Sequence, residues 1–397
     1  MSIDLPGGLA PARVAFYNNP KIRSVAYQVA LFAIVAFLIY GAATNAIDHL
    51  QRAHIASGFG FWDNTAGFDI SQTLIEFSSQ TSTYGRAFWV GLLNTLLVAG
   101  LGIIFATILG FTVGVSRLSK NWLVAKAATG YVETIRNIPL LLQLLFWYNA
   151  VLKALPETRD SFAIPGGGFL NNRGLVLPNP IAQVGEGAFA LIILAGIVAA
   201  AVFHIWAKRR QQQTGEQAPV FKIGAALVIV PAAIFVLVHG FPFTFDMPQR
   251  GRFNITGGLQ VLPEFAALLF GLSIYTAAFI AEVVRAGILA VSRGQSEAAF
   301  ALGLRPRTTL RLIVLPQAMR VIVPPLTSQY LNLIKNSSLA VAVGYPDLVQ
   351  VFTGTVLNQT GQAVEVVAIT MAVYLTISLT TSLLMNIYNS RIALVER

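Results

Sequence analysis

The sequence predicts an all-α membrane protein with about eight transmembrane helices. Of its 397 residues, 55% are apolar and 11% are charged, and a soluble domain could not bury that much apolar surface. Eight segments are also long and apolar enough to cross roughly 30 Å of hydrocarbon as helices. The predicted spans are residues 25–43, 87–115, 127–152, 188–207, 221–240, 265–291, 317–344 and 364–388.

The basic residues predict how these spans are oriented. With a cytoplasmic N-terminus, 17 of the 27 Lys and Arg residues fall in cytoplasmic segments, seven in outer loops and three within spans. This bias follows the positive-inside rule, and an even number of spans then predicts a cytoplasmic C-terminus as well. The net charge of +10 lies between apolar segments rather than along one stripe, so it does not indicate a nucleic-acid partner.

Three polar stretches connect the apolar segments. Residues 44–85 and 153–187 are predicted to be outer loops, and residues 208–219 a short cytoplasmic linker. There is no cysteine, and the four histidines are scattered, so no metal site is predicted. Neither a His/Cys nucleophile system nor a paired catalytic carboxylate site is recognised, which argues against an intramembrane enzyme.

The most informative stretch is residues 292–316, SRGQSEAAFALGLRPRTTLRLIVLP. Ser292 followed by Gln295 fits a capping box, and Gly303 can take the left-handed conformation that ends a helix. Pro306 suits the first turn of a second short helix, which we expect to stop at or before Pro316. The pattern predicts a helix–turn–helix elbow whose small residues Ala298, Ala299 and Ala301, beside Glu297, form a docking face.

The spacing of this stretch resembles the EAA motif of ABC-importer permeases. The matching positions are Glu297-Ala298-Ala299, Gly303 and Ile313-x-Leu315-Pro316. The resemblance implies that the elbow is a coupling helix that docks on a dimer of cytoplasmic ATPase subunits. The implied coupling residues are Glu297, Ala298, Ala299, Gly303, Leu304, Arg305 and Pro316. The sequence has no GxxxxGK[ST] phosphate loop, so we expect no cofactor on this chain and ATP with Mg²⁺ on the partner ATPase.

Three further stretches resemble polar-amino-acid permeases of the histidine/glutamine type: residues 131–148, 273–299 and 312–340. The resemblance implies a five-helix type I core, here residues 87–152 and 261–397. Residues 1–86 add an N-terminal segment with an extra span, and residues 153–260 form an insert with two more spans. This extended plan is similar to the larger permease subunit of general L-amino-acid importers.

The resemblance also implies partners and a location. Permeases of this family work in pairs, so we expect either a homodimer or a heterodimer, and the insert favours a heterodimer with a second permease subunit. We also expect a periplasmic amino-acid-binding protein and a bacterial inner-membrane location. The expected substrates are polar or charged L-amino acids, including glutamate and glutamine. The family often has Lys-Asp-Thr-Ser where this chain has Lys335-Asn336-Ser337-Ser338, and the missing acid favours acidic or neutral substrates over cationic ones.

Several polar side chains lie at predicted membrane depth, where burial of a charged or polar group costs free energy. Glu133 and Arg136, like Glu282 and Arg285, are three residues apart on one helical face. Each pair is either a locally compensated ion pair or part of a gate that rearranges during transport.

The remaining polar side chains at depth are candidates for the substrate path. Lys335 either meets carbonyls released by Pro324-Pro325 or attracts a substrate carboxylate, with Asn336, Ser337 and Ser338 as neutral neighbours. Gln143 is a second candidate lining residue, although a helix–helix hydrogen bond is also consistent with its position.

A self-sufficient secondary transporter is the alternative function. It would require inverted repeats with paired broken helices, and no convincing repeat of this kind is recognised in the sequence.

Overall fold

The computed structural model describes residues 20–52, 58–182, 186–251 and 254–392. Within these ranges seven helices are long and apolar enough to cross a membrane, or eight if one bent pair counts as a single span. The predicted all-α membrane fold with about eight spans is therefore confirmed.

The helices follow the predicted order. They are α1 (Pro20–Arg52), α2 (Tyr84–Ser116), α3 (Trp122–Asn137), α4 (Leu140–Leu145), α5 (Glu186–Thr214), α6 (Val220–His239), α7 (Pro263–Leu289), α8 (Arg293–Ala301), α9 (Pro306–Thr309), α10 (Leu315–Asn336), α11 (Leu357–Thr360) and α12 (Ala363–Ile392). Three π-helices lie at Phe146–Leu152, Leu310–Val314 and Val349–Val356, and three 3₁₀-helices at Gly60–Asp63, Thr158–Asp160 and Ser337–Ala342.

Two helices extend beyond their apolar segments. Helix α1 continues to Arg52, so the first part of the predicted 44–85 loop is helical. Helix α5 continues to Thr214, which reduces the predicted 208–219 linker to residues 215–219. Hydropathy marks the apolar centre of a helix, whereas its backbone hydrogen bonds continue into polar sequence.

The insert contains β-strands that the sequence analysis missed. The strands are β1 (Phe162–Ile164), β2 (Gly168–Asn171), β3 (Gly174–Leu177), β4 (Asn179–Ala182), β5 (Phe243–Asp246), β6 (Gln249–Arg250), β7 (Ile255–Thr256) and β8 (Leu259–Val261). They form a four-stranded sheet in the order β1-β2-β3-β8 and two pairs, β4-β5 and β6-β7. Because β3 pairs with β8, the two polar segments that flank α5 and α6 fold together as one platform.

The third predicted span, residues 127–152, is not one helix. Helix α3 and the segment Leu140–Leu152 meet at an angle of 105°. Ile138 takes an extended conformation at the break, as expected for a residue that precedes proline, because the ring of Pro139 clashes with a helical neighbour. The predicted segment is therefore present as a bent pair of helices and not as one continuous helix.

The core of the bundle is built around α2 and α7. A Cβ atom on Gly110 would lie 2.6 Å from Ile280 Cβ, and one on Gly114 would lie 2.8 Å from the Ala281 carbonyl oxygen. These two glycines therefore let the helix backbones approach closely. Helix α10 packs antiparallel to α7 near the elbow, with Ile322 against Gly287.

The insert hairpin of α5 and α6 packs mainly on itself. Gly196 of α5 lies against the backbone of Leu227 in α6. Little of either helix is buried, and α1 is fully exposed along its apolar window. These helices leave apolar surface free for lipid or for another subunit.

Candidate functional site

A polar groove lies between α7 and α10 within the bundle. It has a volume of about 370 Å³. The residues that line it are Tyr275, Thr276, Phe279, Gln329, Asn332 and Asn336. Three of them, on α10, follow a spacing of i, i+3 and i+7, which places their amides on one helical face. A row of amides within a membrane-spanning helix costs free energy unless the amides meet polar partners or a polar ligand.

Of the four residues predicted at 335–338, only Asn336 lines this groove. The Lys335 side chain is exposed and lies outside the groove lining. Ser337 donates to the Ile334 carbonyl at 2.7 Å, and Ser338 donates to the Lys335 carbonyl at 2.7 Å. Both hydroxyls thus bond to carbonyls at the end of α10, which explains their presence without a ligand.

The sequence analysis missed the other groove residues. Gln329 and Asn332 share a face with Asn336, and this spacing could have identified them. The aromatic wall formed by Tyr275 and Phe279 could not be assigned to a groove from sequence, because it depends on where α10 packs. The ring centroids of these two residues lie 4.9 Å apart.

Gln143 has a structural position in place of the predicted lining position. Its buried side-chain amide donates to the carbonyls of Ile135 and Ile138, each at 2.9 Å. Pro139 has no N–H to donate to Ile135, and Gln143 supplies the missing donor. It thereby holds the bend between α3 and α4.

The charged residues form one cluster rather than two separate pairs. Glu282 pairs with Arg117, with Arg285 at 3.3 Å and with Arg136 at 3.6 Å. The predicted pair of Glu282 and Arg285 is present. The predicted pair of Glu133 and Arg136 is not, because the Arg136 side chain reaches across to α7. Sequence spacing identifies neighbours on one helix but not on the next.

The elbow turns at Gly303, which has a φ of +78°. Its N–H donates to the Phe300 carbonyl at 2.9 Å, and the Leu304 N–H donates to the Ala299 carbonyl at 3.1 Å. These two bonds form a Schellman motif, which ends α8 in the left-handed conformation expected of a C-terminal glycine. Helix α9 then begins at Pro306 after the extended Arg305.

Two details of the first arm of the elbow differ from the prediction. Ser292 is the N-cap residue of α8 but its side chain makes no capping hydrogen bond, so the capping box is absent. Ala299 is 1% exposed, so it packs against this chain and cannot belong to a docking face. Its neighbours Glu297 and Ala298 are exposed.

The second arm of the elbow does not stop at Pro316. Helix α9 continues through the π-helix at Leu310–Val314 into α10, and the Leu315 N–H donates to the Leu310 carbonyl. The wider π-turn gives the proline ring room that a regular α-helix lacks. The elbow is therefore joined to α10, which lines the groove, by continuous helical structure.

A buried carboxylate lies at the end of the bundle opposite the elbow. Asp347 is 0% exposed. It accepts hydrogen bonds from the Gln350 N–H at 2.8 Å and from the Tyr374 hydroxyl at 3.2 Å. Burial raises the pKa of Asp347 to about 7, against the lowering effect of these hydrogen bonds. The sequence analysis did not single out this residue.

Comparison with known proteins gives long matches. A family model for the binding-protein-dependent transport system inner membrane component matches residues 216–394. The chain is 53% identical to the general L-amino acid transport system permease protein AapQ of Rhizobium johnstonii, over 97% of this chain and 96% of that protein. It is 51% identical to the putative amino-acid ABC transporter permease protein YhdX of Escherichia coli, over 96% of this chain and 97% of that one.

A third relative extends the range of named substrates. The chain is 45% identical to the glutamate/glutamine/aspartate/asparagine transport system permease protein BztB of Rhodobacter capsulatus. This match covers 96% of both chains. All three relatives match nearly end to end, including the N-terminal helix and the insert.

Proposed function

Because this chain belongs to the family of amino-acid ABC transporter permeases, we propose that it forms one half of the translocation path of an ATP-driven importer for polar and charged L-amino acids. The observation that carries the proposal is the groove of amide side chains at membrane depth, joined through α10 to an exposed elbow. Glutamate and glutamine fit the groove, since amides offer both donors and acceptors.

The proposed mechanism couples the elbow to the groove. Cytoplasmic ATPase subunits, which would hold ATP and Mg²⁺, press on the exposed face at Glu297 and Ala298. Because α9 continues into α10, movement of the elbow is transmitted to Asn332 and Asn336 in the groove. The Schellman turn at Gly303 keeps the angle between α8 and α9, so movement of α8 is transmitted to α9.

We further propose the assembly and its orientation. A second permease subunit would close the open side of the groove, and a periplasmic binding protein would deliver the amino acid. Both termini would lie in the cytoplasm of a bacterial inner membrane, with the β-platform of β1–β8 outside. The bias of Lys and Arg residues supports this orientation. The similarity to relatives along nearly the whole chain, one of them named as an ABC transporter permease, favours this importer over a self-sufficient secondary transporter.

The test is reconstitution in liposomes. This chain is purified alone and together with its partner permease, ATPase and binding protein, and uptake of labelled glutamine and glutamate is measured. We expect uptake only by the complete assembly and only with ATP on the side of the membrane that carries the ATPase subunits. Robust uptake by the chain alone, driven by an ion gradient, would show a secondary transporter instead.

A further inference from the structure

We propose that Arg136 binds the α-carboxylate of the amino acid at the edge of the groove between α7 and α10. This inference rests on the proposed function and gives a specific role to a residue that the sequence places only in a gate or ion pair. It also moves the expected carboxylate partner from Lys335 to a cation on α3. Neither residue belongs to the groove lining, but the Arg136 guanidinium stacks on the lining residue Phe279.

The first argument is a balance of charge around Glu282. Three guanidinium groups face this single carboxylate, and they belong to Arg117, Arg136 and Arg285. The Arg117 side chain is only 10% exposed and bonds to Glu282 Oε2, the same oxygen that Arg136 approaches at 3.6 Å. Arg136 is thus the most distant of the three cations and shares its acceptor. Its five N–H donors are left largely available to an anion.

The second argument is the position of the Arg136 guanidinium. Its central carbon lies 5.1 Å from the centroid of the Phe279 ring, and Phe279 lines the groove. An aromatic face holds a guanidinium by a cation–π interaction without using its hydrogen-bond donors. The side chain is 39% exposed, so it can turn toward a ligand. A planar guanidinium also matches a carboxylate with two parallel hydrogen bonds.

The third argument is the complementary chemistry of the groove. Gln329, Asn332 and Asn336 present neutral amides, which can bond an ammonium group, a carboxamide or a second carboxylate. A fixed cation for the group that all amino acids share, beside tolerant amides for the part that varies, would give broad specificity. A row of neutral amide donors would discriminate an amino acid from its alcohol less strongly than a guanidinium, which pairs with the carboxylate charge.

Arg285 provides a matched control within the same cluster. It contacts the same carboxylate at 3.3 Å, and its side chain is 38% exposed, nearly the same as that of Arg136. Neither arginine belongs to the groove lining, and the difference between them is that the Arg136 guanidinium stacks on the lining residue Phe279. Replacing either arginine by glutamine removes one guanidinium from Glu282, so a merely structural role predicts similar effects for the two variants.

The experiment measures binding to the assembled importer in lipid nanodiscs without the binding protein. Labelled glutamine is displaced by unlabelled glutamine or by glutaminol, in which the carboxylate is replaced by an alcohol. In the parent we expect glutaminol to bind at least about tenfold more weakly, the factor that corresponds to about 1.4 kcal/mol. In Arg136→Gln the affinity for glutamine should fall to that for glutaminol. Arg285→Gln should keep the parent's ratio of the two dissociation constants, glutaminol over glutamine.

Further variants keep the proposal falsifiable. Arg136→Lys retains the charge but loses the paired hydrogen bonds, so its ratio should be intermediate. Phe279→Leu removes the aromatic support and should lower the ratio even if Arg136→Gln fails to assemble. An unchanged ratio in Arg136→Gln, or an equal loss in Arg285→Gln, would overturn the proposal while ATP-dependent uptake still stands. Loss of uptake of every amino acid by the parent assembly would instead overturn the proposed function.

Discussion

Asp347 shows how a single buried group can make the stability of this bundle depend on pH. Its carboxylate lies in the segment between α10 and α12 and links the Gln350 backbone to Tyr374 on α12. Because burial raises its pKa from 3.8 to about 7, the folded chain holds a proton that the unfolded chain releases between these values. The contribution of this group to stability is therefore greatest below pH 4 and falls as the pH rises to about 7.

We expect Asp347→Asn to remove this dependence. The amide oxygen can still accept the Gln350 N–H, and no charge has to be buried. The melting temperature of the purified protein, followed by tryptophan fluorescence from pH 5 to pH 8, should fall less steeply with pH in the variant than in the parent. Glu216→Gln is the control, since Glu216 is an exposed carboxylate near the end of α5. Parallel curves for parent and Asp347→Asn would contradict the assignment.

Also at the residue scale, polar side chains could be recognised in the sequence but not their partners. Gln143 and Arg136 both stand out as polar residues near an apolar span. Gln143 stabilises a helix bend by donating to two backbone carbonyls. Arg136 stacks on the ring of Phe279. Their contrasting positions follow from the break before Pro139, which turns the two residues into different surroundings.

At the scale of elements, the elbow depends on the one left-handed residue between its arms. Gly303 has a positive φ and no atom within 4 Å of the position a Cβ would take, so a substitution there is strained by backbone conformation rather than by crowding. A β-branched residue such as valine in this conformation costs about 1–2 kcal/mol, because its Cβ crowds the following carbonyl oxygen. The strain would favour an elbow with a different angle between α8 and α9.

We expect Gly303→Val to uncouple ATP hydrolysis from transport. The assembled importer should still insert and bind nucleotide, but amino-acid uptake should fall at least about tenfold, since a strain of about 1.4 kcal/mol corresponds to that factor. Gly294→Ala is the matched control, because Gly294 is also an exposed elbow glycine but lacks a positive φ and has room for a methyl group. Parent-like uptake by Gly303→Val at equal expression would remove the mechanical basis of the coupling elbow.

At the scale of the whole molecule, the arrangement of long helices and polar segments predicts which surfaces face each compartment. The β-platform and the loop between α5 and α6 lie at opposite ends of the insert hairpin, since each of its two helices is long enough to span a membrane. The chain has no cysteine, so a single introduced thiol can report the side on which it lies.

We expect Ala163→Cys, in β1, to react with a membrane-impermeant maleimide in intact spheroplasts. Gln212→Cys, near the end of α5, should react only after permeabilisation. Both positions are exposed in the structure, so accessibility of the side chain itself is matched. The opposite labelling pattern would place both termini outside, and equal labelling of both in intact cells would contradict a membrane-spanning hairpin.

The sequence by itself determined the class of the protein, the approximate positions of its spans and the place of the elbow. These features depend on local chemistry. Apolar length decides whether a helix can cross a membrane, and the Gly303 and Pro306 signals decide where a helix ends and another begins. A strong local preference is read correctly because no distant residue has to be known.

Only the tertiary structure decided which polar residues meet. The groove joins residues of α7 and α10, the cluster at Glu282 joins α2, α3 and α7, and the β-platform joins strands on either side of a helical hairpin. Such contacts depend on how helices pack, and close packing is set by small residues such as Gly110 that accept a neighbour's side chain. Spacing along one helix cannot specify the facing residue on another, which is why the sequence predicts that Arg136 pairs with Glu133, whereas in the structure it lies beside Glu282.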